Sequence, residues 1–104
     1  MYYLYMLECS NGAFYTGYTT DIVRRYEEHR QGSAKCKYTR SFPPKRIAAC
    51  WQVEEALSLV LQCEHAIKKL SKHKKEKLVE SPETLVDCLA LNASLNVITS
   101  CPAT

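Results

Sequence analysis

Two aromatic runs separated by Asn11-Gly12 set the first limit on how this chain can fold. Met1–Glu8 is rich in Tyr, Leu and Met, and Ala13–Tyr18 continues in the same style. Ring-bearing side chains suit a half-buried pleated surface, and Asn-Gly readily supplies the positive φ angles of a tight reversal, so the pattern predicts a β-hairpin. Asp21 then offers an N-cap for a helix from Ile22 to about Arg30, closed by Gly32, with Ile22 and Tyr26 one turn apart on its core side.

Beyond this unit, Ser33–Lys45 is polar and basic and ends in Pro43-Pro44, which blocks regular helix and marks a loop. The apolar run Ile47–Trp51 is expected as a third strand. From Glu54 to Leu70, the positions Leu57, Val60, Leu61, Ile67 and Leu70 recur at three- and four-residue steps, the pattern of a helix with one buried face. A short helix is expected over Lys72–Val79. Ser81-Pro82-Glu83 has the form of a fresh helix start, with Ser81 as cap and Pro82 in the first turn, and the chain after about Leu91 is unmarked. One domain over residues 1–80 is expected, followed by a C-terminal helix and tail of uncertain order over 81–104.

Charge and cysteine usage narrow the function classes. Ile22–Lys77 carries all 14 Lys and Arg of the chain against six of its 11 acids, so a basic middle lies between mildly acidic ends and a polyanionic partner is expected. Lys72–Lys77 alone reads equally well as a solvated helix surface. No apolar run approaches the roughly 18 residues of a membrane span and the N-terminus lacks a signal pattern, which excludes a membrane role and points to the cytoplasm. The six cysteines, Cys9, Cys36, Cys50, Cys63, Cys88 and Cys101, are unevenly spaced, with no C-x-x-C pair to suggest zinc. Most sit beside apolar residues, where a reduced thiol behaves as a small hydrophobe.

Three local features could carry chemistry. Tyr2, Tyr3, Tyr5, Tyr15 and Tyr18 crowd two short strands, where they either pack the sheet or turn phenols into a groove. Arg25 and His29 lie four residues apart on one helix face, adjoining the Ile22/Tyr26 stripe, so both can meet one ligand; Arg offers a permanent cation and a fork for phosphate, His a proton acceptor near neutral pH. Glu64 falls in the middle of the face drawn by Leu57, Val60, Leu61 and Ile67. A carboxylate there needs a hydrogen-bond partner on a strand, an ion-pair partner or a cation, and oxygen ligation favours magnesium or a similar hard ion.

Tyr3-Leu4-Tyr5, nine residues, Tyr15-Thr16-Gly17, then Arg25, His29 and Glu64-His65-Ala66-Ile67-Lys68 together resemble the GIY-YIG nuclease domain over Tyr2 to about Val79. Tyr15-Thr16-Gly17-Tyr18-Thr19-Thr20-Asp21, Lys37-Tyr38-Thr39-Arg40 and Ile67-Lys68-Lys69-Leu70-Ser71 are similar, more narrowly, to the small stand-alone GIY-YIG proteins of the UPF0213 type. The resemblance implies an α/β sandwich with a central three-stranded antiparallel sheet flanked by helices. It implies Tyr5, Tyr15, Arg25, His29 and Glu64 as catalytic residues, with Glu64 as the single ligand of Mg²⁺ or Mn²⁺. The expected nucleic-acid contacts are Tyr18, Arg24, Lys35, Lys37, Tyr38, Arg40 and Lys68. The function implied is a metal-dependent endonuclease hydrolysing phosphodiester bonds in DNA, structure-directed or weakly specific, with DNA repair as a setting and a protein partner as a source of specificity. The alternative is a catalytically weak nucleic-acid-binding module that uses the same groove.

Overall fold

A computed structural model of the chain describes residues 1–33, 35–54 and 57–85, together with the backbone of 98–100. Strands β1 (Tyr2–Cys9) and β2 (Phe14–Thr19) are followed by helices α1 (Ile22–Gln31) and α2 (Lys37–Ser41). Strand β3 (Pro44–Val53), helices α3 (Leu57–Lys69) and α4 (Lys72–Glu80), a 3-10 turn at Pro82–Thr84 and strand β4 (Ile98–Ser100) complete the order. The sheet runs β2-β1-β3-β4 with every neighbouring pair antiparallel. Its three long strands, with helices on both faces, form the expected α/β sandwich.

The hairpin closes through Cys9 N–H to Ala13 C=O at 2.9 Å and Gly12 N–H to Cys9 C=O at 2.9 Å, so Ser10, Asn11 and Gly12 lie between the paired ends. Gly12 takes the left-handed conformation at φ +83°. Asn11 accepts the Ala13 N–H at 3.2 Å through its side chain, which stiffens the loop. Helix α1 is capped as expected: Asp21 accepts from Arg24 N–H, and Gly32, at φ +68°, donates to the carbonyls of Glu28 and His29.

Strand alternation divides the core into two layers. Leu4 and Met6 join Ala49, Trp51 and Val53 on one face, covered by Val60, Cys63 and Ile67 of α3, Leu78 of α4 and Leu85. Tyr5, Leu7 and Cys9 join Ile47 and Cys50 on the other, against Ile22 and Tyr26 of α1. Met6 pairs with Ala49 but Leu7 with Ile47, so Ala48 is an extra residue. This bulge switches the alternation of β3, which is why Ile47 and Cys50 share a face despite their odd spacing.

Four expectations change. Helix α2 falls in the stretch read as loop, since five residues are too few to show a helical period. Strand β3 extends beyond Ile47–Trp51 in both directions, and Pro44 stands at its first position, where the lost N–H is tolerated. The 3-10 turn after Ser81 receives no side-chain cap, and Pro82 C=O instead accepts the Trp51 Nε1–H at 2.7 Å. Ile98–Ser100, within the stretch read as an unmarked tail, pairs with Trp51–Val53 and adds a fourth strand. Cys88 and Cys101 lie outside the described residues, while Cys9, Cys36 and Cys63 are buried free thiols.

Candidate active site

Register brings the site together. In β1 and β2 Tyr5 lies opposite Gly17 and Leu7 opposite Tyr15, so these four side-chain positions share the α1 face. Leu4 lies opposite Tyr18, which therefore belongs to the α3 face. Because β2 is an edge strand, the two faces meet around it. A cavity of about 300 Å³ there is lined by Tyr5, Tyr15, Gly17, Tyr18, Arg25 and Glu64. Gly17 is the hinge of this arrangement: a Cβ built on it would stand 2.6 Å from the Tyr5 hydroxyl, 2.8 Å from Tyr5 Cζ and 3.3 Å from the Tyr15 ring. The bare backbone makes room for the two phenols to converge.

Arg25 reaches the cavity from α1, its Nη1 donating to Glu28 Oε1 at 3.0 Å. Burial works against its charge, but bonding to Glu28 and to the Tyr5 hydroxyl outweighs this and leaves its pKa above the usual range, so it is a permanent cation. The same guanidinium holds Glu28 below the ordinary carboxylate range. Tyr5 is buried, and burial raises its pKa despite the nearby Arg25. Burial likewise raises Tyr15, with Arg25 opposing and Glu64 adding to the rise. Both phenols are therefore neutral near pH 7.

His29 does not line the cavity. It is wholly buried behind the two tyrosines, with its ring 5.7 Å from that of Tyr5 and 5.1 Å from that of Tyr15. The expectation that Arg25 and His29 reach one ligand side by side is thus revised, because one helical turn carries His29 inward. Its Nε2 is 2.9 Å from the Tyr5 hydroxyl and its Nδ1 2.7 Å from Thr39 Oγ1. Burial, then the charge of Arg25, pushes its pKa down to about 4. The unfolded chain binds this proton near the ordinary value of 6.5 and the folded chain only near 4, so lowering the pH across that window favours unfolding. Stability at pH 4 is expected to be on the order of 2–3 kcal/mol below that at pH 7 from this residue. Urea unfolding across this range checks it, and a His29→Gln variant with the same decline would assign the loss elsewhere.

Glu64 is not at the centre of the buried face of α3. Leu57 and Leu61 are exposed, and the buried stripe is Val60, Cys63 and Ile67, rotated from the one expected because Cys63 serves as an apolar residue. Glu64 stands at the margin, its side chain 18% exposed, turned to the cavity and 3.7 Å from Lys68 Nζ. Tyr38 stacks on Tyr15 with ring centroids 5.8 Å apart and receives Asn11 Nδ2–H on its hydroxyl at 3.0 Å. Arg24, Lys35, Lys37, Arg40 and Lys68 are exposed and outside the cavity wall. Sequence reasoning missed Glu28, Thr39 and the steric role of Gly17; the Arg25/Glu28 spacing of one helical turn was the available signal for the first.

The close approach at Gly17 has a measurable consequence. Gly17→Ala is expected to lower stability by about 1–3 kcal/mol, because Tyr5 is fixed by its core neighbours and by His29 and cannot yield freely to the new methyl. An unchanged urea midpoint would show that the ring has room to move.

The geometry can hold an anion between Arg25 and the phenols and a cation at Glu64. Among the described residues no group of three or more His, Cys, Asp and Glu forms a metal cage. One carboxylate beside tyrosine hydroxyls is instead an all-oxygen donor set, which fits a hard divalent ion that keeps most of its shell as water.

A model of the GIY-YIG catalytic domain matches residues 1–77, so the chain belongs to the GIY-YIG family. Relatives within that family include UPF0213 proteins. One from Halalkalibacterium halodurans is 46% identical over 81 residues, covering 75% of this chain and 81% of the relative. One from Citrobacter koseri is 40% identical, covering 86% of this chain and 87% of the relative. The first of these also has a solution NMR structure, under the organism name Bacillus halodurans, which is 38% identical over the superposition, covers 90% of this chain and all of its own, and superposes with a TM-score of 0.50.

Proposed function

We infer that the chain is a metal-dependent endonuclease that hydrolyses phosphodiester bonds in DNA, structure-directed or weakly specific. The observation that carries this reading is the convergence of Tyr5, Tyr15, Tyr18, Arg25 and Glu64 on one cavity at the edge of β2. Phosphodiester cleavage asks for positioning of a water and neutralisation of charge on the phosphoryl oxygens, and these residues suit both tasks. Arg25 binds the scissile phosphate and stabilises charge developing on it. Tyr15 and Tyr18 orient phosphate or water from either side of the strand.

Tyr5 and His29 take the proton of the attacking water. As the water oxygen bonds to phosphorus, its proton passes to the Tyr5 oxygen and the phenol proton passes to His29 Nε2, 2.9 Å away. The leaving oxygen is protonated from solvent. A phosphate seated against Arg25 cancels the charge that disfavours an imidazolium at His29, so binding itself makes His29 a better acceptor. Glu64 would hold Mg²⁺ or Mn²⁺, which supplies Lewis-acid stabilisation of the phosphoryl oxygens when bound.

The exposed Arg24, Lys35, Lys37, Arg40 and Lys68 serve as backbone contacts and Tyr38 as a stacking face, with a protein partner adding specificity. A role in DNA repair and a cytoplasmic setting accord with this activity, and no described helix is long and apolar enough to cross a membrane. The test is incubation of the purified chain with duplex, single-stranded, nicked and branched DNA, with and without Mg²⁺ or Mn²⁺. Cleavage only with the metal is the expected result. Binding without cleavage of any substrate would replace this reading with that of a nucleic-acid-binding module.

A further inference from the structure

Behind the cavity runs a buried chain of polar groups that includes one residue without an assigned role. Thr39, in α2, is fully buried. Its Oγ1 lies 2.7 Å from His29 Nδ1 and donates to Cys36 C=O at 3.3 Å. A neutral imidazole carries a single N–H, so the Tyr5 and Thr39 contacts cannot both be donated by His29. One direction of donation must be chosen.

The neighbouring groups choose it. Cys36 C=O already receives Arg40 N–H at 2.9 Å and has a second lone pair for the Thr39 proton. With that proton committed, Thr39 Oγ1 accepts from His29 Nδ1–H, and Nε2 is left bare. At the other end the Arg25 guanidinium stands with Tyr5 in the cavity wall, where it can offer the phenol oxygen only donors. The phenol proton is then directed to Nε2. In this sense every donor and acceptor in the row from Cys36 to Tyr5 is served. In the opposite sense His29 donates to Tyr5, whose own proton turns to the open cavity, and Cys36 C=O loses the hydroxyl.

We propose that Thr39 is a positioning residue, fixing the His29 tautomer in which Nδ1 carries the proton and Nε2 is free to take the proton of Tyr5. Its role in cleavage rests on the nuclease reading above; the tautomer itself does not. A threonine suits the place because a hydroxyl three residues into a helix reaches the carbonyl of the turn before it, which points its one proton away from the imidazole.

The test reads the tautomer and the chemistry separately. Nitrogen-15 NMR of the ring of His29 in the wild-type chain, free of nucleic acid, is expected to show a protonated Nδ1 and a bare Nε2. Thr39→Val, which keeps the shape and removes the hydroxyl, should shift the population toward Nε2–H, and Thr39→Ser should restore it. With DNA and Mg²⁺, kcat of Thr39→Val should fall by roughly 10²-fold with KM little changed, since the substrate contacts are intact. Thr39→Ser should recover most of this. An Nε2–H tautomer in the wild-type chain overturns the proposal, and that measurement does not depend on the variants folding. A valine variant that shifts the tautomer yet cleaves at the wild-type rate removes the positioning role. Absence of cleavage by the wild-type chain refutes the nuclease reading and, with it, the role of Thr39 in catalysis, while the NMR result decides the tautomer on its own.

Discussion

Arg25→Ala is expected to lower the cleavage rate by about 10³-fold or more while leaving the fold intact. The guanidinium sits in the cavity wall beside Tyr5, where its charge acts most strongly on the transition state, and loss of such a cation at a transferring phosphoryl group has effects of this size. Stability should change little. The ion pair broken is the one with Glu28, in which the two side chains are 22% and 28% exposed, and a water-screened pair of this kind contributes little. DNA affinity should fall modestly, since Arg24, Lys35, Lys37 and Arg40 remain. Single-turnover cleavage, a binding titration and a thermal melt give the three quantities. Full activity in the variant would show that the phosphate lies elsewhere.

Glu64→Gln should separate stability from activity in the same way, and for it the competing explanation makes the opposite forecast. A carboxylate holding a buried ion pair would lose about 3–5 kcal/mol on neutralisation. Here the partner, Lys68, is 53% exposed and 3.7 Å away, so the loss should be under about 1 kcal/mol. Cleavage, by contrast, should drop by about 10²-fold or more, because the amide is a poor ligand for a hard cation that supplies several kcal/mol of transition-state stabilisation. Raising the Mn²⁺ concentration should recover part of it. A variant that melts early but cuts at the normal rate would identify Glu64 as a structural residue.

What could be read from sequence was decided over short distances. The hairpin and the ends of α1 depend on Asn11-Gly12, Asp21 and Gly32 and their immediate neighbours, and they stand as expected. The burial of His29 depends instead on where α2 packs, and α2 is a five-residue helix without a legible period. The margin position of Glu64 depends on Cys63 counting as an apolar side chain, which displaces the stripe from the leucines. The pairing of Ile98–Ser100 with β3 joins residues nearly 50 positions apart, as Val53 with Ile98 and Trp51 with Ser100, and local pattern is silent about that. Tyr5, Tyr15, Tyr18, Arg25 and Glu64 were named from the sequence, and the structure draws them around one cavity. The sequence could not say that they approach from opposite sides of a strand.

That approach gives the molecule a seam. Arg25 is moored through Ile22 and Tyr26 to the core layer on one side of the sheet, Glu64 through Val60, Cys63 and Ile67 to the layer on the other, and the sheet itself lies between. Each mooring can loosen without the other. Catalytic alignment that tolerates errors of only about 1 Å is therefore more fragile than the fold that supports it. Warming, mild denaturant or a single trimmed core side chain on either layer should disengage the two halves from each other while the spectroscopic signature of the folded chain persists.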